Sequence, residues 1–175
     1  MSSLKLDSNK YTPRKEQQDA FDFIKNDYNK NKNKFYMMNM PVGVGKSHLA
    51  IMLSEWFNRT NNNATVDVIT AGKILQDQYD TTYDSIANFK GKSNYQCSQY
   101  NCSCENGKEF NKLNKTFCES CPYDSAKDSF VSNKVSLTNF HLYLTYAMFE
   151  GGIKEQRRSR LLIVDECHDL DDVMS

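Results

Sequence analysis

The segment MPVGVGKS, Met40 to Ser47, constrains this chain more than any other feature. An apolar run, Phe35 to Met40, leads into it and stops at Pro41, and Leu49, Leu53 and Trp56 then recur at helical spacing. The run is too short for a helix and reads as a buried strand, which gives the order strand, glycine loop, helix. That order is the setting in which a glycine loop cradles phosphate. Gly43 and Gly45 let backbone N–H groups approach phosphate oxygens, and the helix N-terminus adds positive potential. Lys46 reaches the terminal phosphates and Ser47 ligates Mg²⁺. The residues from Gly43 through Val44, Gly45, Lys46 and Ser47 to His48 are the candidate ATP contacts. In the pattern GxxxxGK[ST] position 40 is glycine, whereas this chain has Met40.

The complementary half of such a site is an acidic residue at the end of a later apolar strand. LLIVDECHD supplies it: Asp165 follows the fully apolar Leu161 to Val164, of the kind buried in a parallel sheet, and is expected to hold Mg²⁺. Glu166 beside it is placed to polarise the attacking water. Lys46, Asp165 and Glu166 are therefore the expected catalytic residues.

Strand and helix patterns alternate through the chain. Thr12 and Pro13 are a good N-cap and first helical position, and Phe21, Ile24 and Tyr28 follow at helical spacing, so a helix is expected over Pro13 to Tyr28. Val66 to Ile69 reads as a strand and Ile74, Leu75 and Gln78 as a helix. Val135 to Thr138 reads as a strand and Phe140 to Phe149 as a helix. The fold class is α/β with an insertion. The short polar stretches Asn29 to Lys34 and Asn61 to Asn63 read as loops rather than domain linkers.

Charge adds little. Lys+Arg and Asp+Glu both number 22, but residues 161–175 hold five acids and no base, so 22 basic and 17 acidic residues remain in 1–160. That excess of five is weak attraction for polyanions. No run of roughly 18 apolar residues spans a bilayer, and MSSLKLDSNK lacks the apolar stretch of a signal peptide, so a cytoplasmic protein with no membrane association is expected.

Five of the six cysteines crowd one window with the spacing C-x4-C-x-C-x13-C-x2-C: Cys97, Cys102, Cys104, Cys118 and Cys121. A reducing cytosol argues against disulfides, which leaves thiolate ligation of a metal, with one thiol more than four-coordinate sites use. Spacing alone admits zinc. Between Asn94 and Asp124 the chain has Tyr95, Tyr100, Phe110, Phe117 and Tyr123 but few aliphatic residues, so a metal is expected to hold this stretch together.

MPVGVGKS paired with Asp165-Glu166-Cys167-His168 resembles the iron-sulfur DNA helicases of superfamily 2, the XPD and DinG group. YTPRKEQQ is similar to that family's Q-type motif, with Arg14 and Gln17 at the R-x-x-Q spacing, and ITAGKILQDQY, Ile69 to Tyr79, looks like motif Ia. FKGKSNYQC, CPYDSAKDSF and SLTNFHLYL are similar to the segments that bound its cluster domain. The likeness runs over nearly the whole chain, with its motifs in the family's order.

The resemblance implies a RecA-like P-loop NTPase domain carrying a cysteine-rich iron-sulfur insertion. Residues 1–88 and 135–175 would form the ATPase domain, and 89–134 the insertion. It implies a [4Fe-4S] cluster on four of the five thiols, with Cys104 favoured over Cys102 as the fourth ligand and zinc as the alternative metal. Arg14 and Gln17 would join the nucleotide contacts, and Lys90, Lys92 and Asn139 would contact DNA. Five lysines from Lys90 to Lys115 suit a surface that tracks a nucleic-acid backbone. The activity implied is ATP-driven translocation on single-stranded or tailed duplex DNA, completed by a second RecA-like half in cis or in trans. The Asn and Lys richness is compositionally that of an AT-rich bacterial or phage genome. The competing expectation is a non-catalytic metal module with a nucleotide site that binds nucleic acid or protein, or a zinc-containing P-loop protein.

Overall fold

The computed structural model describes residues 11–31, 33–83, 85–116, 118–148, 156–157 and 159–169. The expectations that touch Phe117, Phe149, Asp171 and Asp172 lie outside these residues. The chain forms two compact units, divided between Ala64 and Thr65.

The first unit is built on α1 (Lys15–Asn31) and α2 (Lys46–Thr60). Helix α1 starts two residues later than its apolar spacing suggests and continues past Tyr28. Its Phe21 and Tyr28 meet Trp56 of α2 edge to face, with ring centroids 6.1 and 5.6 Å apart, and Tyr28 also meets Phe57 at 5.9 Å. Ile24, Leu49, Leu53 and Phe57 are buried, each such side chain contributing about 1.5–3 kcal/mol. Phe35 to Met40 is not a strand: it takes no regular secondary structure, and Phe35 and Met37 are each 93% exposed. A run this short carries no information about a pairing partner, and among the described residues no strand pairs with it.

The second unit is a four-stranded, wholly parallel sheet in the order β2-β3-β1-β4. Its strands are β1 (Val66–Thr70), β2 (Ala87–Asn88), β3 (Val135–Asn139) and β4 (Leu161–Val164). Val66 stands level with Val135 on one side and Leu161 on the other, so β1 is buried along its whole length. LLIV, expected to be buried throughout, instead alternates: Leu162 and Val164 are 45% and 36% exposed. Among the described residues β4 is an edge strand, paired with β1 alone.

Helix α3 (Lys73–Thr82) follows β1, α6 (Phe140–Met148) follows β3, and α4 (Cys104–Asn114) and α5 (Pro122–Ser132) fill the cysteine-rich stretch. On α3 the buried residues are Gln76 and Tyr79, while Ile74 is 86% exposed, so the helix presents another face than its apolar residues suggest. Ser103 caps α4 by accepting from the Asn106 N–H, and Pro122 occupies the first turn of α5. The cysteine-rich stretch shares an aromatic core with α6: Phe89, Tyr123 and Phe130 are buried with Cys97 and Cys104, and Tyr95, Tyr100 and, from α6, Tyr146 pack around them. Ring centroids lie 5.2 Å apart for Phe89 and Tyr123 and 5.7 Å for Phe89 and Phe130. Counting aliphatic residues therefore understates what this stretch can bury.

Arg157 closes one end of the sheet from inside. Its guanidinium pairs with Asp67 at 2.5 Å, with side chains 1% and 4% exposed, and donates to the carbonyls of Val66, Val131, Asn133 and Lys134.

Candidate functional site

In the first unit, the turn before α2 places Gly43 at φ +83° and Gly45 at φ +87°, a left-handed conformation that side chains resist. Gly45 caps α2, and the His48 and Leu49 N–H groups both bond to its carbonyl. Gln17 from α1 holds the turn: its amide nitrogen donates to Val44 O at 2.7 Å and Gly45 O at 2.9 Å. Its amide oxygen accepts from the Tyr11 hydroxyl at 2.5 Å and the Arg14 N–H at 2.9 Å. All four hydrogen-bonding positions of this fully buried amide are thereby used. Gln17 thus braces the loop from behind. Arg14 adds a bond from its guanidinium to Gly43 O.

Lys46 and Ser47 form the first turn of α2 and are half-buried. His48, expected among the nucleotide contacts, is buried, and its ring lies 3.4 Å, centroid to centroid, from that of Tyr11. Burial pulls its pKa below the usual 6.5 and favours the neutral imidazole.

In the second unit, Asp165 follows β4 directly and is 8% exposed. Its N–H bonds to Ile69 O at 2.8 Å, and its carboxylate Oδ2 accepts the Tyr79 hydroxyl at 2.9 Å. Glu166 stands at φ +57°, and its carboxylate lies 3.4 Å from Nδ1 of the exposed His168.

The expected DNA-contacting groups are engaged within their own unit. Lys90 pairs with Asp77, and Lys92 Nζ sits 5.1 Å above the Tyr123 ring. Burial is the largest influence on Lys92 and lowers its pKa, and Lys108 pushes it the same way. Asn139 donates to Gln76 Oε1 at 3.0 Å and accepts from the Leu142 N–H at 2.9 Å. Gln76 in turn donates to Asn88 Oδ1 and Phe89 O, each at 3.0 Å. This buried amide network ties α3 to the ends of β2 and β3.

All six cysteines are free thiols. The Gln96–Ser103 antiparallel bridge folds the first three into one tight loop, in which Cys97 N–H bonds to Cys102 O and Cys104 N–H to Tyr95 O, each at 2.8 Å. Cys121 is the N-cap of α5. The Gln99 and Tyr100 N–H groups hydrogen-bond Cys97 and lower its pKa. Burial first, and then Cys121, Cys97 and Cys118, push Cys104 up to about 11. Three other thiols thus act on Cys104, whereas Cys102 is raised by burial first and then by Cys97. Among the described residues no group of three or more His, Cys, Asp or Glu side chains is arranged to hold a metal ion.

Four participants have no role assigned from the sequence: Tyr11, which opens the Q-type segment, Gln76 and Tyr79, which lie in the motif Ia segment, and Arg157. Gln76 and Tyr79 share a helical face at a spacing of three, a signal hidden because the more apolar Ile74 and Leu75 suggested another face. Arg157 carries no local signal at all.

A family model described as "Type III restriction enzyme, res subunit" matches residues 10–173, and the chain belongs to that family. It carries a superfamily 2 helicase-like domain, an ATP-dependent nucleic-acid motor domain whose parallel sheet flanked by helices is consistent with a RecA-like architecture. Comparison with curated proteins found no match. Among the described residues no helix is long and apolar enough to cross a membrane.

Proposed function

We propose that this member of the family is an iron-sulfur DNA helicase domain of the XPD and DinG type, which couples ATP hydrolysis to movement along single-stranded DNA. Lys46 carries the charge-assisted contact to the terminal phosphates, and Ser47 and Asp165 ligate Mg²⁺. Glu166 takes the proton of the attacking water. Mg²⁺, when bound, neutralises charge developing on the transferred phosphoryl oxygens. A second RecA-like domain, in cis or in trans, supplies the arginine that completes hydrolysis.

The observation that carries this reading is the braced glycine loop. Two glycines in left-handed conformation at the start of a 15-residue helix, fixed by a saturated glutamine, make a preformed anion cradle. Arg14 and Gln17 serve that cradle as its supports, a different role from the nucleotide contact their motif suggests.

The insertion binds a [4Fe-4S] cluster through Cys97, Cys104, Cys118 and Cys121. Supporting this are the electrostatic influence of Cys97, Cys118 and Cys121 on Cys104 and the backbone N–H groups directed at Cys97, which favour a thiolate. Binding requires these thiols to close in and lose their protons.

Fluorescence anisotropy with a labelled single-stranded oligonucleotide tests the DNA assignment. The expected result is binding that weakens steeply with added salt and responds to Mg²⁺ and a non-hydrolysable ATP analogue. Absence of binding at low salt would overturn it.

A further inference from the structure

The Tyr79 hydroxyl bonds to Asp165 in the interior of the second unit, 86 residues away along the chain. Tyr79 is 0% exposed, and Asp165 is 8% exposed. A buried carboxylate with one oxygen held by a hydroxyl is restrained in its side-chain torsion, because rotation would break that bond. Asp165 is restrained from the main-chain side as well, through its N–H to Ile69 at the end of β1. Helix α3, which carries Tyr79, begins three residues after β1 ends, and its first turn exposes Lys73 and Ile74. The Tyr79 side chain therefore joins a helix with a solvent-facing first turn to the acidic group at the end of β4.

We propose that Tyr79 is a positioning residue for Mg²⁺-dependent nucleotide binding: its hydroxyl fixes the side-chain torsion in which the Asp165 carboxylate meets the metal. The inference rests on the reading of Asp165 as a magnesium ligand. It gives α3 a route to the metal site, since any displacement of α3 that draws Tyr79 away releases the carboxylate. Supporting groups of this kind orient a metal ligand without touching the metal, and their loss weakens metal binding while the ligand itself stays in place.

Tyr79→Phe removes the hydroxyl and keeps the ring, which packs 5.9 Å from Tyr83. A non-hydrolysable ATP analogue is titrated into parent, Tyr79→Phe, Asp165→Asn and the double variant, in EDTA and across a Mg²⁺ series, below the melting temperature of each. In the parent, Mg²⁺ raises affinity. In Tyr79→Phe the Mg²⁺ concentration giving half of that gain rises about tenfold, while affinity in EDTA is unchanged. A general loss of packing would lower both. In the Asp165→Asn background, Tyr79→Phe has no further effect on the Mg²⁺ response. An unchanged Mg²⁺ midpoint in Tyr79→Phe, beside a lost response in Asp165→Asn, overturns the role of Tyr79 alone. No Mg²⁺ response in the parent, or a full response in Asp165→Asn, overturns the reading of Asp165 and the proposal with it.

Discussion

A Cβ atom on residue 45 would stand 2.3 Å from the side-chain nitrogen of Gln17, so Gly45 and Gln17 can occupy their places only together. Gln17 cannot step aside cheaply, because that nitrogen holds two loop carbonyls. Gly43 shares the left-handed backbone, but nothing lies within 4 Å of its would-be Cβ. Gly43→Ala should therefore cost only backbone strain, about 1–2 kcal/mol. Gly45→Ala should cost that strain and at least one further hydrogen bond, about 0.5–1.5 kcal/mol more. Urea unfolding of both, repeated in a Gln17→Ala background, checks the account: the gap between them should shrink once the glutamine is gone. A gap of the same size in both backgrounds would show that Gln17 does not brace the loop.

His48 gives the first unit a pH dependence. Burial lowers its folded-state pKa below 6.5, so the folded form binds the proton less readily than the unfolded chain does. Its contribution to stability is complete above the unfolded value and is lost as pH falls through the folded one. Unfolding midpoints measured from pH 8 to pH 5 should fall in the acid range, and His48→Gln should flatten that fall. An unaltered profile in the variant would contradict the assignment.

Arg157 and Asp67 form a buried ion pair in which the arginine also satisfies four carbonyls. Arg157→Met should destabilise the protein by about 3–5 kcal/mol, because it strands the Asp67 charge. Adding Asp67→Val should recover part of that loss and leave the carbonyls unmatched. Thermal melts of the single and double variants measure this, and a single variant as stable as the parent would refute it.

The elements legible in the sequence were those whose signal is local. Val66 to Ile69 and Val135 to Thr138 became β1 and β3, and the Leu49, Leu53, Trp56 spacing became α2, with Leu49 and Leu53 buried. Asp165 stands at the end of a strand, as its motif implied. What stayed hidden depends on partners far along the chain. Among the described residues Phe35 to Met40 has strand composition but no pairing neighbour, and LLIV is apolar throughout yet lies at an edge. The Tyr79–Asp165 and Asp67–Arg157 pairs, 86 and 90 residues apart, follow no period. The aromatic core around Cys97 and Cys104 was visible as composition, but its packing was not.

The fourth cluster ligand is open to a direct comparison. Burial and three neighbouring thiols hold the Cys104 proton up to about pH 11 without metal, so binding must release it and should tighten as pH rises. Anaerobically purified parent protein should be yellow-brown and contain iron. Cys104→Ser should lose the metal, and Cys102→Ser should keep it. Metal analysis finding zinc and no iron, or retention by Cys104→Ser and loss by Cys102→Ser, would reverse the assignment.

On this reading the loop from Gly43 to Ser47 binds the phosphates of ATP. Isothermal titration of Mg²⁺-ATP into the parent and into Lys46→Ala tests it most directly, since Lys46 carries the charge-assisted contact, whose loss costs on the order of 1.5–3 kcal/mol. The parent should bind, and the variant should have an affinity lower by about 10- to 150-fold. Equal affinities, or no binding by the folded parent, would contradict it.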